Sequence, residues 1–218
     1  LAAAAGNQDL SFFDAIAPVV TNDSIDHQVV FRASRWQAKE DDGVRGDYLN
    51  IPLEKEDYER LVDHLLNGEK HELKDFEAAD PRANDFFERC LPVEILAARG
   101  REALRFGPLH PVGLFNPNNG KRPHAVVQMR TENREQSMWN LVGFQTNLTY
   151  GEQKALLRAL PGMAEAEFVR LGSMHRNTFL CSPMILEPSL EWRGRPGLFV
   201  AGQLCGMEGY LGNIGSGL

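Results

Sequence analysis

The clearest periodicity in the chain follows Pro52. Tyr58, Leu61, Val62, Leu65 and Leu66 recur there at spacings of three and four among Glu, Asp, Lys and Arg. That spacing predicts an amphipathic helix opened by Pro52 and stopped at Asn67-Gly68, with its apolar stripe packed on a sheet. Pro92 in a first helical turn predicts a short helix over 93–98, closed by Gly100. A further helix is expected over 153–160, ended by Pro161-Gly162. Short apolar runs predict strands at 12–16, 29–34 and 167–171. Runs 125–129 and 139–146, joined by polar residues 131–137, read as an antiparallel hairpin. Residues 197–202 read as a buried strand ending in glycine. The charged stretch 39–47 is a loop, and acidic sequence over 75–85 links two units. From Gly202 the composition changes, with further glycines at 206, 209, 212, 215 and 217. The pattern is that of a mixed α/β unit bounded by pieces of something else.

At 218 residues the chain is long enough to bury a core without staples. Its 23 Lys and Arg against 30 Asp and Glu give a net charge of −7, which excludes a tail-wrapping basic protein. A local positive patch on an acidic chain still permits anion or RNA binding. The cysteines Cys90, Cys181 and Cys205 form no CxxC pair, so neither a zinc ribbon nor a secreted disulfide scaffold is supported. No apolar run approaches the roughly 18 residues of a membrane span, and no signal peptide is evident. The expectation is a cytoplasmic protein without membrane or metal partners. Both ends read as cut, the first inside a helix and the last at Gly215-Ser216-Gly217-Leu218, a glycine-rich stretch that would open a helix.

Cys90 stands two positions before Pro92, where a helix N-terminus and Arg89 would favour its thiolate. Equally, lone cysteines are commonly buried and inert. The segment Gly202-Gln203-Leu204-Cys205-Gly206-Met207-Glu208-Gly209-Tyr210 could bring backbone N–H groups to a flat or anionic ligand, or could simply be tight turns. His175-Arg176-Asn177-Thr178, expected just after a strand, could hold an anion, a pteridine or a nucleobase, or could be a solvent loop. Basic residues cluster at Arg99, Arg101 and Arg105, at Lys121 and Arg122, at Arg130 and Arg134, and at Arg170 and Arg176. Phe106, His124 and Trp139 lie between them, a composition compatible with phosphate contacts and base stacking. The six histidines show no ligand spacing, so a metal hydrolase is not expected.

Seven runs, DSIDHQVVFRASR (23–35), GDYLNIPLEKEDYERL (46–61), FFERCLPVEILAARGREALRFGPLHPVGL (86–114), RPHAVVQMR (122–130), WNLVGFQTNLTYGEQK (139–154), PGMAEAEFVRLGSMHRNTFL (161–180) and LFVAGQLCGMEGY (198–210), resemble the TrmFO family in order and spacing. That family comprises folate- and flavin-dependent tRNA (uracil-5-)-methyltransferases. The resemblance implies a fragment of a glutathione-reductase-type FAD-binding domain, residues 1–24 and 183–218, interrupted by a mixed α/β insertion domain over 25–182. It implies FAD, 5,10-methylenetetrahydrofolate and NAD(P)H as cofactors, and the tRNA T arm as partner. Cys90, in FERCLP, matches the family cysteine proposed to add to the uracil ring. Such a thiolate addition at C6 makes C5 a carbon nucleophile. Gly202, Gln203, Gly206, Glu208, Gly209 and Tyr210 resemble a flavin-contacting segment. GFQT (143–146) and MHRNTF (174–179), with His175, Arg176 and Asn177, are implied to lie near folate or flavin. Arg99 and Arg101 are the implied RNA contacts.

The chain departs from the family pattern in places. Arg89 replaces a usual Gly, Ile51 a frequent Cys, and GYLGNIGSGL a usual GYVESAASGL. No GxGxxG occurs, so the N-terminal flavin-binding portion and its cysteine are expected to be missing. Two other readings stand beside this one. One is a wobble-uridine flavoprotein of the GidA (MnmG) type, which lacks the FERCLP and RFGPLHPVGL runs. The other is a non-catalytic RNA- or folate-binding remnant.

Overall fold

The computed structural model describes residues 10–36, 46–71, 91–207 and 209–218, with backbone alone at 10–15 and 174–178. In chain order its strands and helices are β1 (Leu10–Ile16), β2 (Val19–Thr21), β3 (Phe31–Arg32), β4 (Tyr48–Leu53), α1 (Lys55–Asn67), α2 (Val93–Ala98), α3 (Ala103–Phe106), β5 (Ala125–Thr131), β6 (Met138–Leu141), α4 (Tyr150–Arg158), β7 (Phe168–Arg170), β8 (Ser173–Phe179), α5 (Ser182–Ile185) and α6 (Gly209–Ser216). The fold is mixed α/β, and two compact units are distinguished. One comprises the described residues among 15–77 and 88–174, the other those among 1–14, 78–87 and 175–218. The divisions fall at 14/15 and 174/175, inside β1 and β8, where the sequence placed them at 24/25 and 182/183. Strands β1 and β8 pair as a two-stranded sheet.

In the larger unit six strands form one sheet in the order β3-β4-β5-β6-β2-β7, each neighbouring pair antiparallel. Its centre is the six-residue pairing of β4 with β5, from Tyr48 opposite Arg130 to Leu53 opposite Ala125. Leu49, Ile51 and Leu53 alternate with Asn50 along β4, as Ala125, Val127 and Met129 alternate with Val126 and Gln128 along β5. The first set joins the core completed by Tyr58, Leu61, Val62 and Leu65 of α1. Helix α1 thus buries the stripe its periodicity announced, while Leu66 is partly exposed.

Strand β4 was not expected, because Pro52 reads as a helix opener. Pro52 instead lies inside β4, opposite Val126, and α1 starts at Lys55. The Val126 N–H donates to Leu109 O at 3.0 Å, away from β4, so the 52/126 pair is a non-hydrogen-bonded one. The Pro52 nitrogen therefore points to the side where β3, paired only to Leu49 and Asn50, has ended. A missing donor there breaks no ladder bond. The helix start is set by a capping box between Glu54 and Asp57, in which the Glu54 N–H donates to Asp57 Oδ2 at 3.1 Å.

Other boundaries shift for local reasons. The strand expected over 29–34 is confined to Phe31–Arg32. The one expected over 139–146 stops at Leu141, since Gly143 turns at φ 79°. Helix α4 starts earlier than expected, where Thr149 Oγ1 accepts from the Glu152 N–H. Over 197–202 no strand forms: there is a single bridge, Glu191 to Phe199, with Phe199 exposed and Val200 buried.

Asn50 and Gln128 are buried on the sheet face opposite the aliphatic core, directly across from each other. Gln128 Nε2 donates to Asn50 Oδ1 at 2.9 Å, and Asn50 Nδ2 donates to Ala33 O at 3.0 Å. Arg35 Nη2 donates to Gln128 Oε1 at 2.8 Å, while its Nη1 donates to the carbonyls of His110 (2.9 Å) and Val112 (2.7 Å). Burial pulls the Arg35 guanidinium below its ordinary pKa, only partly offset by Tyr48. Gln128→Met keeps the volume but strips Arg35 Nη2 and Asn50 Oδ1 of their partner. It is expected to cost about 2 kcal/mol or more in urea unfolding followed by circular dichroism. A loss below about 0.5 kcal/mol would show that the network is not a structural constraint.

Candidate functional site

Cys90 and Arg89 lie outside the described residues. The chain directly after them is anchored by burial and hydrogen bonds. Leu91 is buried, Pro92 caps α2, and Val93 is fully buried. The Val93 N–H donates to Gln145 O at 2.7 Å. Glu94, 3% exposed, accepts from Thr146 Oγ1 at 2.9 Å through Oε2 and from the Asn147 N–H at 2.7 Å through Oε1. A buried carboxylate is tolerated only with such partners. The GFQT run therefore anchors the helix behind Cys90: Gln145 holds its first residue and Thr146 its second.

The same turn is fixed to the start of β8. Gln153, buried on α4, donates through Nε2 to Leu148 O (2.7 Å) and Gly172 O (2.9 Å) and accepts from the Gly172 N–H (2.7 Å). A Cβ at Gly172 would come within 2.8 Å of Thr146 Cγ2 and 3.0 Å of Ile16 O, so only glycine permits this approach. His175, Arg176 and Asn177 follow β7, as expected, but lie in a further strand, β8, and not in a loop; only their backbone is described. Glu94 and Gln153 went unremarked in the sequence. Their buried partners are distant along the chain, so no local spacing marks them.

In the smaller unit, Gly202–Cys205 forms a 3-10 turn ended by Gly206 in the left-handed region. Gly202, Gly206 and Gly209 all have positive φ. A Cβ at Gly202 would approach Asn213 Oδ1 of α6 to 3.1 Å. Three N–H groups of this segment are used internally. Gly202 donates to Ser216 Oγ (2.7 Å), Gly206 to Gln203 O (2.9 Å) and Met207 to Gly202 O (3.3 Å). These three donors are thus not the ones a ligand would meet. The segment instead offers bare backbone, with no atom within 4 Å of a Cβ position at Gly209, and the exposed side chains of Gln203 and Tyr210. A flat cofactor edge fits such a surface. Glu208 lies outside the described residues. Residues 215–217 do not open a helix as expected; α6 runs from Gly209 to Ser216 and ends there.

Arg99 and Arg101 come after α2 and are exposed. Arg101 Nη1 pairs with Asp63 Oδ1 at 2.6 Å, and Arg101 O accepts from Tyr58 OH at 2.6 Å. The Tyr58 OH also accepts from the Arg105 N–H at 3.1 Å, and burial raises its pKa. Among the described residues no group of three His, Cys, Asp or Glu could hold a metal ion, and no helix is long and apolar enough to cross a membrane.

Comparison with known proteins places the chain among relatives. The family model described as "Glucose inhibited division protein A" matches residues 1–218. A Geobacter sulfurreducens protein, "Methylenetetrahydrofolate--tRNA-(uracil-5-)-methyltransferase TrmFO", is 55% identical over 208 residues, covering 95% of this chain and 46% of that protein. A Synechococcus sp. (strain JA-3-3Ab) protein of the same name is 52% identical over 217 residues, covering 100% of this chain and 46% of its own length. The chain thus spans about half the length of the curated relatives it matches. A solved Aquifex aeolicus GidA structure superposes with a TM-score of 0.56 at 16% identity, covering 96% of this chain and 31% of that one. At that identity it shows the fold alone.

The Arg101 hydrogen bond holds the Asp63 carboxylate below its ordinary pKa. Because the folded value is depressed, the pair's stabilising effect is present above the ordinary carboxylate range and fades as pH falls through the folded value. Carboxyl-carbon NMR titration is expected to give Asp63 a midpoint below that of an isolated aspartate. Arg101→Ala should return it to the ordinary value, and an unmoved midpoint would dissolve the pairing.

Proposed function

The chain belongs to the Glucose inhibited division protein A family, and from that membership we propose that it is part of a folate- and FAD-dependent tRNA uracil-5-methyltransferase. The observation that carries this reading is the identity of 55% and 52% to proteins named TrmFO over nearly the whole chain. The 16% identity to a solved GidA structure supports the wobble-uridine alternative far less.

In this reading residues 183–218 and the first part of 1–24 belong to an FAD-binding domain of the glutathione-reductase type, and the six-stranded sheet, which takes in β2, to its insertion. Bound FAD would supply redox chemistry, 5,10-methylenetetrahydrofolate the one-carbon unit and NAD(P)H the reducing equivalents. Gln203, Tyr210 and the bare backbone at Gly206 and Gly209 would lie against the flavin, with Glu208 beside them. His175, Arg176 and Asn177 would serve folate or flavin. Arg99 and Arg101 would meet the T arm. Cys90 would add as thiolate to uracil C6, so that C5 gains the electron density needed to take a one-carbon group. The sulfur leaves again when the C5 proton is lost. The chain's own contribution is then positional. Val93 and Glu94, held by Gln145 and Thr146, fix the backbone next to the nucleophile, and a nucleophile loses rate steeply when misplaced.

The test is made in the full-length protein that contains this chain, loaded with FAD and folate. Cys90→Ala is expected to lower 5-methyluridine formation in T-arm RNA by about 10³-fold or more, the scale on which loss of an activated nucleophile acts. Unchanged methylation, or modification of a wobble uridine in place of the T loop, would overturn the proposal.

A further inference from the structure

The larger unit holds a cleft of about 500 Å³ that the reaction scheme above leaves unused. Its walls come from the start of α1, the end of α3 with the segment after it, and the residues before β5. All of its lining residues fall within three of the runs that carry the family resemblance, 46–61, 86–114 and 122–130. Neither Arg99 nor Arg101 lines it.

Two properties single it out. The first is an aromatic face left in water. Phe106 is 78% exposed, and the Arg105 guanidinium lies 5.6 Å from its ring centre. An exposed phenylalanine backed by a cation is a stacking platform, not a core residue. The second is positive charge with little to neutralise it. Arg122 is exposed, stacks over Phe115 at 5.6 Å, and has no ion-pair partner among the described residues. Lys55 reaches Glu59 only at 3.8 Å, with both side chains largely in solvent. Arg105 is paired to Glu102 at 3.0 Å. The acidic group in the wall, Glu54, is engaged in the capping box of α1.

The geometry points to a nucleic-acid subsite: this cleft holds a single-stranded stretch of the RNA substrate, with a base stacked on Phe106 and the neighbouring phosphate met by Arg122 and Lys55. An RNA strand is favoured because stacking area and unneutralised charge occur side by side, the combination that binds unpaired nucleotides. On a chain of net charge −7, such a local site is also what would retain a polyanion. The inference rests on the proposed action on RNA but concerns different residues, so the two can fail separately.

The test uses the full-length protein with FAD and folate, and an unmodified tRNA transcript. Filter binding is measured across a salt series, alongside KM and kcat for tRNA. Phe106→Ala is expected to weaken binding by about 5- to 100-fold, the range for losing one base stack. Arg122→Glu should weaken binding further and flatten the logarithmic salt slope by about one, while Arg122→Lys should retain that slope. The loss should fall on KM more than on kcat, which a merely structural role would not arrange. Unchanged Kd, KM and salt slope in both Phe106→Ala and Arg122→Glu, with methylation intact, would overturn the cleft assignment alone. RNA binding that depends on Phe106 in a protein that methylates no T-loop uridine would uphold the cleft and overturn the proposed reaction. A wild-type protein that binds no tRNA would overturn both.

Discussion

A polar group removed from water must be bonded, and the larger unit is organised around that demand. On one face of its sheet, apolar residues meet α1 in an ordinary core. On the other, Asn50, Gln128 and Arg35 are bonded in series, and the series ends on the backbone carbonyls of His110 and Val112. The segment after α3 is therefore held by a guanidinium from far upstream. Its placement sets one wall of the cleft and carries His110 with it. Glu94 and Gln153 repeat the device elsewhere: each spends a buried polar side chain to fix a turn, and together they secure the chain behind Cys90 and before β8.

The range of each interaction decided whether it could be read in advance. Helix α1 was legible because its stripe is written in neighbouring residues, and α2 because Pro92 marks its start. Strand β4 was not, since Pro52 signals a helix start unless one knows that its nitrogen faces the side β3 has left. The roles of Arg35, Glu94 and Gln153 are set by partners far along the chain, and no window of local sequence contains them. The glycines from 202 onward correctly marked a turn; the N–H groups of Gly202, Gly206 and Met207 are used within the turn and by Ser216 of α6. Cys90 stood out in the sequence for its place before Pro92 and in FERCLP, and the described structure adds the anchoring of Val93 and Glu94 just beyond it.

The two proposals divide the labour in a way that suits a chain of this kind. Chemistry at the uracil would need a nucleophile held in place, and the buried bonds of Glu94 fix the chain that follows the proposed one. Holding an RNA strand needs surface, charge and exposed aromatic area, which the cleft around Phe106 provides. The distribution also reconciles an acidic chain with a polyanionic substrate, because attraction depends on the local field and not on the total.

The central claim is that Cys90 bonds to a uracil ring, and covalent capture tests it most directly. A T-arm RNA carrying 5-fluorouridine blocks loss of the group at C5, so an enzyme that adds a thiolate at C6 and alkylates C5 should remain attached. Mass spectrometry of the digested full-length protein, loaded with folate and FAD, is predicted to find the nucleotide on the peptide containing Cys90. An adduct confined to another residue, or active methylation of ordinary T-arm RNA with no adduct formed on the fluorinated one, would contradict the account.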